Sequence, residues 1–170
     1  MKLSKLPFRL GFLIGLLACA ALVGYALYLQ HRAFLDPCPL CILQRVAFVL
    51  LGAVFLLGLL HNPGRLGRRV YGLMALVAAG TGSAIAGRHL WLQSLPADQV
   101  PACGPGLEYM LEAFPLSKTL QMVLHGSGEC AKVDWIFLGL SMPAWTLVWY
   151  VLLGAWALWL GFRGPARGAG

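Results

Sequence analysis

Four of the five cysteines in this chain fall into two pairs whose placement suits thiol chemistry: Cys38 with Cys41, and Cys103 with Cys130. The first pair lies in Pro37-Cys38-Pro39-Leu40-Cys41, just ahead of a long apolar segment. A Cys-x-x-Cys at a helix start meets unsatisfied backbone N–H groups and the positive end of the helix dipole, which stabilise a thiolate. Pro37 and Pro39 suit the turn and the first helical positions, so Cys41 is expected within the first helical turn. Arg45 follows four residues later on the same helix face. There its permanent charge could stabilise a thiolate or a reduced, anionic acceptor. The plainer reading of Arg45 is a side chain reaching a lipid headgroup, but ionisable residues in membrane spans usually have a partner, and Cys41 is at hand.

Cys103 and Cys130 bracket the one long polar stretch. A disulfide between them could be a plain staple that limits loop freedom. Four cysteines could also make a tetrahedral zinc site, but the usual second Cys-x-x-Cys is missing, so redox exchange uses these pairs more naturally and no metal is expected. His89 reads equally well as a ligand or as a hydrogen-bonded residue near the membrane surface, and Arg88 as a snorkelling side chain. His31, His61 and His125 read as solvated loop residues, and Cys19 as an inert packing residue.

The elements that must position these residues follow from composition. With 59% hydrophobic residues, 11% charged residues and a mean hydropathy of +0.76, the chain is not an ordinary soluble domain. Residues 10–29, 41–60, 70–92 and 143–162 each reach the roughly 20 residues that a spanning helix needs. The net charge of +7 is scattered at segment ends rather than clustered with exposed aromatics, which argues against nucleic acid. Lys2, Lys5, Arg9, Arg65, Arg68, Arg69, Arg163 and Arg167 flank one set of span ends, and all six acidic residues lie in the other two connections. That bias predicts both termini in the cytoplasm and both cysteine pairs on the opposite, oxidising side. A cleaved signal ending near Ala18-Cys19-Ala20 is disfavoured because the apolar run continues to Leu29.

The connections at 30–40 and 61–69 are short, which predicts one domain over 1–170, an all-α four-helix membrane bundle. Small residues in Ala78-Ala79-Gly80-Thr81-Gly82-Ser83-Ala84 predict close packing of the third span. Trp145, Trp149, Trp156 and Trp159 read as interfacial anchors and lipid-facing bulk rather than a cofactor cage. The long loop at 93–142 has proline and glycine at both ends and reads as mobile. Within it, Ser117 is expected to cap a short helix lying along the membrane surface, with Leu120, Val123 and Leu124 on one face and Gly126-Ser127-Gly128 as its stop.

Along nearly its whole length the chain resembles the DsbB family of bacterial inner-membrane disulfide oxidoreductases. The resemblance is carried by Pro37-Cys38-Pro39-Leu40-Cys41 followed by Arg45, by Cys103, by Gly128-Glu129-Cys130, and by the run from Trp135 to Pro143 before the fourth span. It implies a protein-disulfide:quinone oxidoreductase acting as a monomer. A reduced periplasmic thioredoxin-fold partner, DsbA, would attack Cys103 of a Cys103–Cys130 disulfide. The loop pair would then exchange with Cys38–Cys41, and Cys41 would meet a membrane quinone, ubiquinone or menaquinone, with Arg45 and His89 at matching quinone-site positions. Gln44 departs from the glutamate often found before that arginine, which puts any proton-handling role there in doubt. The vitamin K epoxide reductase type of four-helix thiol oxidoreductase has its active Cys-x-x-Cys after the loop cysteines, the reverse of the order here. A non-catalytic scaffold with a stapled or zinc-bound loop is the other alternative.

Overall fold

A computed structural model describes residues 7–33, 37–96, 98–102, 104, 107–133 and 135–163. Cys103 lies outside the described residues. In chain order the elements are α1 (Phe8–Ala33), α2 (Pro39–His61), α3 (Arg65–Gln93), α4 (Leu107–Ala113), α5 (Leu116–His125), α6 (Gly128–Ala131), β1 (Ile136–Phe137), β2 (Leu140–Ser141) and α7 (Met142–Phe162). The helices α1, α2, α3 and α7 are long and apolar enough to cross a bilayer. Each turns large apolar side chains outward: Leu17, Val49, Val77 and Val151 are all more than half exposed. Such surfaces are sheltered from water by lipid, and the chain is an all-α membrane bundle.

These helices run past the hydropathy bounds. The first keeps Gln30, His31 and Arg32 helical, and α3 begins at Arg65, so the expected turn at 61–69 shrinks to 62–64, with Asn62 in the left-handed region at φ 42°. Arginine is a good helix former whose stem lies along apolar surface. Accordingly Arg68 and Arg69 stand over the rings of Phe8 and Phe162, at 5.2 and 5.6 Å.

The four long helices pack in the cyclic order α1, α2, α3, α7. Small residues line the seam between α3 and α7. A methyl group on Gly161 would stand 2.8 Å from the Arg68 carbonyl oxygen, and one on Gly72 would stand 3.0 Å from that of Ala157. Lipid gives helices no hydrophobic drive to associate, and this close backbone approach supplies van der Waals contact instead. The interior is filled by Phe12, Leu51, Phe55 and Tyr150, with Cys19 buried among them as expected.

A second apolar cluster sits at the cysteine-bearing end, where Leu40, Ile85 and Leu92 of the long helices meet Met110, Val123 and Cys130 of the loop. Reading 93–142 as a mobile loop from its proline and glycine content therefore missed a small packed core. Within it α5 starts one residue before Ser117, with Pro115 as the capping residue. Val123 points inward while Leu120 and Leu124 are exposed, so the expected shared face is divided. The stop is where it was expected: Gly126, at φ 87°, ends the helix beside Leu92. The β1–β2 hairpin was not foreseen. Its turn puts both Leu138 (φ 51°) and Gly139 (φ 79°) at positive φ, as a two-residue hairpin turn of the mirror-image type requires.

Candidate functional site

The site begins at the start of α2. Cys38 is the N-cap, its sulfur accepting the Cys41 N–H at 3.4 Å, and Pro39 takes the first helical position, where a missing N–H costs nothing. The two sulfurs stand 3.1 Å apart as free thiols. From α3, His89 reaches the same point, only 2% exposed, with Nε2 3.8 Å from the Cys38 sulfur. The same nitrogen is 3.0 Å from the Cys130 carbonyl oxygen. Cys130 is itself buried, and its thiol is pushed above the ordinary range, first by a hydrogen bond with the Cys38 side chain and then by burial. Next to it, Gly128 N–H donates to the Ala102 carbonyl at 3.3 Å, which draws the two ends of the loop together. Three of the four paired cysteines and His89 thus converge.

Arg45 is held by α1. Its Nη1 donates to Gln30 Oε1 and its Nη2 to the Ala26 carbonyl at 3.3 Å, both neutral acceptors. The extra turn of α1 is what brings Gln30 within reach. Next to Cys41 and Arg45 lies an apolar cavity of about 310 Å³ lined by Phe48, Trp145 and Trp149 and by Trp135 and Phe137 of the hairpin region. Trp145 Nε1 donates to the Phe137 carbonyl at 3.0 Å and fixes that wall. Trp145 and Trp149, read as interfacial anchors and lipid-facing bulk, also line this cavity, because hydropathy does not distinguish a lipid-facing ring from one facing an apolar cavity. A second cavity of about 260 Å³ joins Cys38, Cys41, Arg45 and His89 to Glu129 and Lys132. Cys41 and Arg45 line both.

A metal fits this set poorly as arranged. The donor atoms of Cys38, Cys41 and His89 lie within 4.8 Å of one another. Two thiolates on one tetrahedral zinc would, however, sit roughly 3.8 Å apart for Zn–S bonds of about 2.3 Å. Here the sulfurs are closer at 3.1 Å, and Nε2 is engaged by a carbonyl.

Several partners had no signal in local spacing. Gln44, 4% exposed, lies 3.0 Å from His89 Nδ1 through its Nε2, and its Oε1 is 2.6 Å from the Thr146 hydroxyl. The Tyr150 hydroxyl donates to the Gln44 carbonyl at 2.6 Å. Arg88, read as a snorkelling side chain, instead donates to the Leu124 and His125 carbonyls at 3.3 and 2.8 Å and stacks over Trp91. It caps the C-terminus of α5, where a cation also suits the helix dipole.

A family model described as Disulfide bond formation protein DsbB matches residues 8–160. A disulfide bond formation protein B of Nitrosococcus oceani is 53% identical over 165 residues, covering 96% of this chain and 98% of the relative. One of Hahella chejuensis is 59% identical over 148 residues, covering 87% and 88%. A third, of Chromobacterium violaceum, is 51% identical over 152 residues, covering 89% and 92%.

Proposed function

The chain belongs to the DsbB family, and from that premise we propose that it reoxidises a reduced DsbA-type dithiol protein and delivers the electrons to a membrane quinone. The partner's dithiol reduces a Cys103–Cys130 disulfide and leaves with a disulfide of its own. The Cys130 thiolate attacks Cys38 of a Cys38–Cys41 disulfide, making a Cys38–Cys130 bond and releasing Cys41 as a thiolate. Cys103 then attacks Cys130, which restores the loop disulfide and frees Cys38. Cys38 and Cys41 close again by giving up two electrons and two protons.

One observation carries this reading: Cys41 lines both cavities, one shared with the loop and His89, the other apolar and aromatic. The apolar cavity is at the small end of the range for ligand sites, which suits a planar ring better than a bulky ligand. A bound quinone would supply a lipid-soluble two-electron acceptor. Arg45 would hold its carbonyl oxygen, and Trp145 and Trp149 would keep water from the ring. The bias of basic and acidic residues supports an inner-membrane orientation with cytoplasmic termini and periplasmic cysteines.

Purified protein in detergent, mixed with reduced partner and ubiquinone or menaquinone, is expected to consume quinone absorbance. Cys41→Ser is expected to abolish that consumption while Cys103 still forms a mixed disulfide with the partner. Quinone loss undiminished by Cys41→Ser would overturn the relay.

A further inference from the structure

The buried polar network around Gln44 links α2, α3, α7 and the Cys130 segment, and its donors and acceptors can be assigned one by one. A backbone carbonyl only accepts, so the contact from His89 Nε2 to the Cys130 oxygen at 3.0 Å requires the hydrogen on Nε2. In a neutral ring Nδ1 is then an acceptor, and it faces Gln44 at 3.0 Å. Only the amide NH2 can serve it. That turns Gln44 Oε1 toward Thr146, whose hydroxyl donates at 2.6 Å. The opposite orientation of the amide would leave a bare Nε2 against the carbonyl.

Thr146 has a second acceptor, the Pro143 carbonyl at 2.9 Å. If the ring takes up a proton, Nδ1 also becomes a donor. The amide can then turn over, accept from Nδ1 and donate to the Thr146 oxygen, while the hydroxyl hydrogen swings to Pro143. Every group is satisfied in both states, and Nε2–H faces Cys130 throughout.

We propose that Gln44 is a positioning residue: with Thr146 it supports His89 in either protonation state, so that the ring always holds the Cys130 carbonyl and seats the Cys130 sulfur against Cys38. An ionised glutamate in its place could only accept. It would force the hydrogen onto Nδ1 of a neutral ring, and the seat would then survive only with the imidazolium. The titratable and charged groups sharing this space are Cys38, Cys41 and Arg45 from α2, Glu129 and Cys130 from α6, and Lys132 just after it. The amide thus makes loop docking independent of ring protonation. The effect on electron transfer rests on the function proposed above, whereas the ring's tautomer does not.

The test uses full-length reduced protein in detergent, labelled with 15N-histidine, its four histidines assigned by substitution of His31, His61 and His125. Neutral His89 is expected as the Nε2–H tautomer in the native protein, and as Nδ1–H in Gln44→Glu. In single-turnover transfer from the loop pair to Cys38–Cys41, the ratio of variant to native rate is expected near one while the ring is charged. As pH rises through the ring's titration, that ratio is expected to fall by about tenfold or more, the consequence of leaving buried acceptors facing each other. A neutral native ring carrying its hydrogen on Nδ1, or a rate ratio flat with pH, would overturn the proposal. The native spectrum alone decides the first point if Gln44→Glu does not fold. Native protein that shows the expected tautomer but reduces no quinone would count against the proposed function and leave the assignment of Gln44 standing.

Discussion

Replacing Arg45 with methionine removes a charge but keeps most of the stem that covers the apolar cavity. Its guanidinium reaches Gln30 and the Ala26 carbonyl on α1 and lines the cavity shared with Cys41. Neither acceptor is charged, so its positive charge is left to act on what enters the cavity. A hydrogen bond from a charged donor contributes about 1.5–3 kcal/mol. The proposed bond from Arg45 to a quinone oxygen would strengthen as electrons arrive, so the loss belongs to kcat/KM. At about 1.4 kcal/mol per decade, Arg45→Met is expected to lower kcat/KM for quinone by roughly tenfold to somewhat over a hundredfold. Arg45→Lys keeps the charge without the two-pronged hold on α1 and should fall between the two. The Ala26 carbonyl sits within α1 and Gln30 near its end, so thermal stability should change little. The assay follows quinone absorbance at saturating partner while quinone is varied. If kcat/KM for quinone is unchanged while the mixed disulfide with the partner forms normally, Arg45 serves only to tie α2 to α1 and the reasoning fails.

Two further expectations follow from other parts of the molecule. In the fully reduced protein Cys130 should stay a thiol as pH rises past about 8.5, the ordinary thiol midpoint, because its hydrogen bond with Cys38 and its burial both favour the protonated form. The Cys130 13Cβ resonance reads this directly, Cys38→Ser should move the midpoint back down, and a native midpoint near the ordinary value would refute it. Gly161→Ala, whose methyl would press on the Arg68 carbonyl, should lose about 1–3 kcal/mol and lower the unfolding temperature. Gly24→Ala, with nothing near its methyl, is the control, and equal effects of the two would refute the account of the α3–α7 seam.

The parts of this protein that could be read from sequence are those governed by near neighbours. Pro37, Pro39 and the Cys-x-x-Cys placed the pair at a helix start, and the Cys38 N-cap bears that placement out. Apolar runs of spanning length located the four long helices, though not the helical arginines beyond them. What escaped depends on distant partners. Gln44 meets His89 on the next helix and Thr146 at the far end of the sequence, and no local spacing announces either contact. Trp145 and Trp149 have the apolar surroundings expected of lipid contact, and nothing in their spacing announces the cavity that they also line. The hairpin turn hid because Leu138 occupies a left-handed position that side chains of its kind rarely take.

Cys130 belongs to the small cluster with Leu40, Ile85, Leu92, Met110 and Val123, separate from the core of the bundle. Protein regions with their own modest apolar contacts can open without global unfolding. In the proposed relay the Cys130 sulfur changes partners while also filling such a cluster, which would tie each turnover to a loosening of that cluster. Substitutions that tighten the packing around Met110 or Val123 would therefore raise heat tolerance and slow catalysis together. Thermostabilised versions of this protein are better sought in the α3–α7 seam around Gly72, Ala157 and Gly161, away from His89, Leu92 and Thr146.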